Sequence, residues 1–234
     1  MVTFCHYGFE EQSDEARLWH NCRNHLSSTE KKIKVKNKEE LIQEIDNRTN
    51  TANIQNKRII DLNYIDVSAL TDLSGLFKNR VFFMEEYDVS SWDVSNVTKM
   101  DQTFYCSNFK VDLSSWDVSN VRSMSEMFES SKGKITGLEN WDVSNVLNMD
   151  GMFSYSEFSG DLSKWNVSNV NSMKAMFKNS KFNSDISQWN VSNVEDMSEM
   201  FSESSFAGNI DNWDVSKVVD LSKCFTETCV SEEI

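Results

Sequence analysis

The chain has 234 residues, 37 acidic and 23 basic side chains, a net charge of −14 near neutrality, no proline and only 7 glycines. That length suits one elongated domain, or an array with a cap, and the charge is uneven: residues 1–60 sum to +1 and residues 61–234 to −15. Such acidity disfavours nucleic acid and anionic membrane as partners and suits a basic protein. There is no apolar run of membrane-spanning length and no apolar leader after Met1, and the 5 cysteines do not suggest a disulfide framework.

Residues 1–32 form an amino-terminal extension outside any repeat. It holds all 3 histidines, His6, His20 and His25, beside Cys5 and Cys22. Sulfur and imidazole at this density point to zinc, with Cys5, His20, Cys22 and His25 as candidate ligands, although their spacing matches no established ligand pattern. A catalytic Cys/His pair would need an orienting third group, and none can be picked out. The plainest reading is a helix over residues 10–26 whose Leu18 and Trp19 pack on the adjoining cap.

Residues 33–60 read as that amino-terminal cap. A strand is predicted at 33–35. A helix comes next at 38–47, with Asn37 as its N-cap and Leu41, Ile42 and Ile45 on one face. A second strand at 58–62 leads into the remainder, residues 61–234.

That remainder repeats. Trp92, Trp116, Trp141, Trp165, Trp189 and Trp213 stand 24, 25, 24, 24 and 24 residues apart, each opening a phrase Trp-(Asp/Asn)-Val-Ser-(Asn/Lys)-Val. A fixed period of this length marks a solenoid. Three residues before each tryptophan stands Val, Leu or Ile. Eight after comes Met or Leu221, and twelve after comes Phe. A worn copy nearer the amino terminus places Ile65 in the tryptophan position, so about seven units are expected, with an insertion near residues 81–86. The unit before Trp141 is irregular, with Gly133 to Gly137 where a Phe is usual.

Within one unit Val170, Met173, Met176 and Phe177 fall at helical spacing, Ser168 precedes them as an N-cap, and Ser192 with Glu195 completes a capping box. Each unit is therefore predicted to be a short strand, a turn and a helix. One such unit cannot bury its apolar face alone, so neighbours must supply the other wall.

Two acidic columns invite a functional reading. Asp93, Asp117, Asp142, Asn166, Asn190 and Asp214 come just after the tryptophans, and Asp88, Asp112, Asp161, Asp185 and Asn209 precede them. Stacked carboxylates could hold calcium, but the glycines of calcium-binding β-roll repeats are missing, and turn formation explains both columns. The serine column Ser95 to Ser216 reads as capping, and the methionine column as core. Exposed, non-repeating positions beside the strand are the better candidates for binding: Lys110, Val111, Ser115, Ser184 and Gln188.

The unit Phe-x-x-Asp-(Leu/Ile)-Ser-x-Trp-(Asp/Asn)-Val-Ser-Asn-Val-x-x-Met-x-x-Met-Phe resembles the repeat of BspA-type leucine-rich-repeat bacterial surface proteins. The lead-in from Lys38-Glu39-Glu40-Leu41-Ile42 to Ile65-Asp66-Val67-Ser68 is similar to the start of such arrays, and the likeness covers residues 33–229. It implies an α/β fold, a right-handed leucine-rich-repeat-like solenoid. It also implies binding or adhesion without catalytic residues. The expected function is a non-enzymatic interaction scaffold offering an acidic surface to a protein partner, with no cofactor. The alternatives are a zinc- or calcium-dependent module and an enzyme built on the Cys/His cluster. A monomer or end-to-end homodimer is expected. The missing leader suggests the cytoplasm, whereas the resemblance implies the cell surface or secretion.

Overall fold

In the units of Trp92 to Trp189, from the end of the tryptophan phrase through the Met-x-x-Met-Phe stretch, every second backbone N–H donates to a carbonyl of a neighbouring coil, and this sets the architecture. The computed structural model describes residues 32–55, 58–80 and 86–228. Its elements are β1 (Ile33–Lys34), α1 (Lys38–Ile54), β2 (Ile59–Asp61), β3 (Ile65–Asp66), β4 (Glu86–Asp88), β5 (Val111–Asp112) and β6 (Ile135–Thr136). All strand pairs are parallel: β1 with β3, β2 with β4, and β5 with β6. A chain of parallel bridges runs Asp72, Lys99, Ser123, Asn148, Ser172, Asp196, Asp220, linking the Ile65 segment to the six tryptophan segments. Each segment is thus a coil lying in register on the next.

The helix expected in each unit is absent. Among the described residues α1 is the one α-helix, and the Met-x-x-Met-Phe stretches are turns. In the Trp165 coil the amides of Met173, Ala175, Phe177 and Asn179 donate to carbonyls of Asp196, Ser198, Met200 and Ser202 in the next coil. The alternate amides of Met176, Lys178 and Ser180 close three-residue turns onto Met173, Ala175 and Phe177. The physical reason is pitch. Coils bridged as parallel strands sit ~4.8 Å apart, and stacked α-helices, about 10 Å across, cannot keep that spacing. The i, i+3 spacing of apolar residues is real, but consecutive turns satisfy it as well as a helix does. Ser168 and Ser192 accordingly cap no helix: their amides donate to Asn166 Oδ1 and Asn190 Oδ1, each at 3.2 Å.

One continuous apolar core fills the coils. The phenylalanine column from Phe77 to Phe225 stacks ring on ring, with centroid separations rising from 5.3 Å (Phe77–Phe104) to 5.8 Å (Phe153–Phe177). Val170, Met173, Met176 and Phe177 are fully buried. The polar letters of the phrase stitch the coils together. Trp165 Nε1–H donates to the Leu138 carbonyl at 2.9 Å, and its counterparts from Trp92 to Trp213 make the same bond to the preceding coil. Asn169 Nδ2 donates to the Ser144 carbonyl at 2.7 Å, and Asn96, Asn120, Asn145 and Asn193 do likewise. These bonds satisfy carbonyls that the turns would otherwise leave bare.

At the amino-terminal end α1 lies against β2 and buries Leu41, Ile45 and Ala52. Asn37 accepts the Glu40 amide at 2.8 Å, an ordinary N-cap. The helix runs to Ile54 rather than ending at Asn47, because tertiary contacts extend it. Thr49 is buried and its hydroxyl meets that of Tyr87 at 3.0 Å.

Candidate binding groove

The turns carry an unusual backbone. Two residues in most coils adopt positive φ without being glycine: Gln102 and Cys106, Glu126 and Ser130, Glu199 and Glu203, Lys223 and Glu227. In the coils between, Gly151 pairs with Tyr155 and Ala175 with Asn179. An L-residue there costs on the order of 1–2 kcal/mol, offset by the inter-coil bonds that this geometry aims. The side chains stand outside the core and need only tolerate the backbone, so these columns do not repeat in sequence.

The second of these columns lines a groove of 740 Å³. Cys106, Ser130, Tyr155, Asn179 and Glu203 run along one side of it, and Asn108, Lys132, Glu157, Lys181 and Ser205 along the other. Between them lie the buried Ser107, Ser156 and Ser180. The groove crosses five coils, so at ~4.8 Å per step it is roughly 20 Å long. Its walls are tied across coils: Asn179 Nδ2 donates to Glu203 Oε2 at 3.0 Å, and Lys181 pairs with Glu157 at 3.1 Å. Tyr155, 45% exposed, stands in the middle as an aromatic platform. Asn108 Oδ1 is buried with no donor among the described residues, which leaves one acceptor unsatisfied beside the groove.

A second hollow of 250 Å³ shares Tyr155 and lies over Gly151 and Ala175, where the first column shrinks. A Cβ on Gly151 would meet Glu126 Cγ and Glu129 Oε2 at 3.2 Å each. Burial raises the Glu129 carboxyl above its usual range, and the neighbouring Glu126 charge adds to this, against opposition from Lys78 and Lys178. On the far rim Lys178 bonds Glu199, which lowers the Glu199 carboxyl and raises the Lys178 ammonium. Lys78, Gln102 and Glu126 form a hydrogen-bonded run along the same face, at 2.7 and 2.6 Å. The turn face is therefore a polar, charge-patterned surface with one exposed ring.

The residues singled out from sequence do not converge there. Lys110, Ser115 and Gln188 are exposed on another side of the coils, and Ser184 is half-buried. Ser115 donates to the Ser90 carbonyl at 2.6 Å and Ser184 to Asp161 at 3.3 Å, so both are partly spent on scaffold. Val111 is corrected outright: it is 3% exposed, because β5 turns it into the core. Cys5, His20, Cys22 and His25 lie outside the described residues. Both acidic columns act as turn formers. Asp142 Oδ1 accepts the Ser144 amide at 3.0 Å, Asp185 the Ser187 amide at 2.9 Å, and their counterparts repeat this. Among the described residues no three His, Cys, Asp or Glu side chains are grouped to hold a metal ion. Nor is any helix there long and apolar enough to cross a membrane.

The sequence could have disclosed the groove. Aligned on their tryptophans, the units vary where the backbone is left-handed, and the helical reading hid that these positions form one surface.

A family model matches the chain twice, over residues 43–135 and 131–233, and its description is "Mycoplasma protein of unknown function, DUF285". The two matches span most of the chain, which therefore belongs to this family of repeated units. No curated protein and no solved structure matches it.

Proposed function

We propose that this protein is a non-enzymatic interaction or adhesion scaffold, a right-handed solenoid that grips an extended segment of a partner protein along the turn-face groove. One observation carries the reading: the letters that repeat are consumed by core, turns and inter-coil bonds, while the columns that line the groove, Cys106 to Glu203 and Asn108 to Ser205, change from coil to coil. A structural role needs sameness from coil to coil, whereas recognition needs difference. The solenoid reading rests on the unbroken parallel bridging, and right-handedness on the strong preference of parallel crossovers for that hand. The strand–helix unit of leucine-rich repeats is not part of it. The likeness of the Trp-Asp-Val-Ser-Asn-Val phrase to BspA-type surface proteins favours an adhesive role, and the charge of −15 over residues 61–234 favours a basic partner.

The test is capture from the native cell, with wild type compared against two variants. One replaces Tyr155, Asn179 and Glu203 by Ala, and the other replaces Lys110, Ser115 and Gln188 by Ala. The groove variant should lose its partner at unchanged melting temperature, and the strand-side variant should keep it. Retention of every captured protein by the groove variant would discard the groove.

A further inference from the structure

The groove and the hollow beside it differ in charge. The groove walls carry Lys132 and Lys181 against Glu157 and Glu203, which balance. The hollow of 250 Å³ carries Glu126, Glu129, Asp150 and Glu199 against Lys174 and Lys178, an excess of two negative charges. It exists because the column that holds Gln102, Glu126, Glu199 and Lys223 shrinks to Gly151 and Ala175 in two adjacent coils. Most of its charged groups are engaged. Lys178 bonds Glu199, and Asp150 takes the Ser172 hydroxyl and the Lys174 amide. Glu126 has only the neutral Gln102 amide. Among the described residues nothing hydrogen-bonds or ion-pairs the Glu129 carboxylate, which feels Lys78 and Lys178 only at a distance. That carboxylate borders the gap: a Cβ on Gly151 would lie 3.2 Å from Glu129 Oε2. Burial without a counter-ion raises it above the usual range, so a cation arriving there removes a cost already present.

We propose that the hollow is the specificity pocket of the groove and takes one lysine or arginine side chain of the bound segment, its cationic head between Glu126 and Glu129 and its aliphatic stem along Tyr155. This rests on the groove being the binding site and adds which residue it selects. Tyr155 belongs to the walls of both spaces, so a segment lying in the groove passes the mouth of the hollow. Its ring, 45% exposed, offers a face to a cation. An acidic side chain is the poorer occupant, because Glu199 already holds Lys178 and the remaining lysine, Lys174, is exposed to solvent.

The probe is a display library of random peptides of about nine residues, longer than the roughly six that span about 20 Å when extended. It is panned on the full chain. Selected peptides should share a lysine or arginine at one fixed position, and Ala there in a synthetic copy should weaken binding about tenfold. The pair Glu126→Gln and Glu129→Gln should weaken the unaltered peptide by a similar factor, and the Ala change in the peptide should then cost little more. Gly151→Asn suits the left-handed backbone and fills the hollow without altering charge, so it should act as the Gln pair does. Groove-dependent peptides are those lost when Tyr155, Asn179 and Glu203 are replaced by Ala. If these carry no fixed basic residue, or an acidic one, the pocket is overturned and the groove stands. It is also overturned if the basic residue keeps its tenfold effect against the Gln pair. A library that yields no groove-dependent peptide removes pocket and groove together.

Discussion

The two ends of the stack solve the same problem differently. Any stack of coils exposes its core and half of its backbone ladder at both ends. At the amino-terminal end α1 covers the opening with Leu41, Ile45 and Ala52, and polar ties hold it: Lys38 to Ser74 at 3.0 Å, Arg80 to Asp46 at 2.6 Å, Tyr64 to Glu44 at 2.9 Å. Burial, with the Glu44 bond adding to it, pushes the Tyr64 hydroxyl far above its usual range. At the carboxy-terminal end the last coil keeps the standard pattern but leaves Val219 and Leu221 in solvent. A cap requires a different kind of segment, and only one described end has it.

The contrast can be broken by substitution, starting where most should be lost. Ile45→Ala empties a fully buried site between cap and coils and is expected to cost about 2–5 kcal/mol in denaturant unfolding. Leu221→Ala at the other end should cost well under about 1 kcal/mol, because nearly half of that side chain is already in water. Equal losses at both sites would end the comparison. Tyr87→Phe strands the buried Thr49 hydroxyl and should cost about 1–3 kcal/mol. Asn169→Ala, mid-stack, removes one inter-coil bond at an exposed edge and should cost about 1 kcal/mol.

Local opening should obey the same order. The Cys224 thiol is buried in the last coil, and that burial raises its pKa to about 11, eased by backbone bonds to Phe201 and Met200. It should resist alkylation until that coil frays, and fraying should occur while the amide of Ile45 stays protected from hydrogen exchange. Simultaneous loss of both protections would mean that the ends are equally stable.

The smallest effect is electrostatic. Asp142 is held below the usual carboxylate range by the Ser144 hydroxyl and then its amide, and Asp66 likewise by Ser68. A carboxyl with a depressed folded pKa contributes stability above its unfolded pKa and loses it as pH falls through the folded one. Acid unfolding should therefore begin below about pH 4. Asp142→Asn should soften it, as Asn166 and Asn190 fill that column with a neutral acceptor. Glu129 has the opposite sign: its raised pKa removes stability as pH rises through its titration, so Glu129→Gln should raise the melting temperature slightly at neutral pH.

Much of this was legible in the residues. The period of 24 or 25, the burial of Trp, Val, Met and Phe, and the use of Asp and Asn as turn formers all come from local chemistry repeated at fixed spacing. The letters that vary were also visible, but not their common surface. Val111 shows why: its place as a non-repeating letter beside a strand suggested exposure, and only the pairing of β5 with β6 decides which face points inward.

Sequence alone thus determined that neighbouring units must stack, because one unit has too little apolar surface to order itself. Tertiary structure decided what each unit becomes. Met173, Met176 and Phe177 have helical spacing, yet their amides go to the next coil or to tight turns, since a ~4.8 Å pitch leaves no room for a helix. That same choice of left-handed turns set Tyr155, Asn179 and Glu203 along one groove, a consequence of coil-to-coil bonding that no single unit encodes.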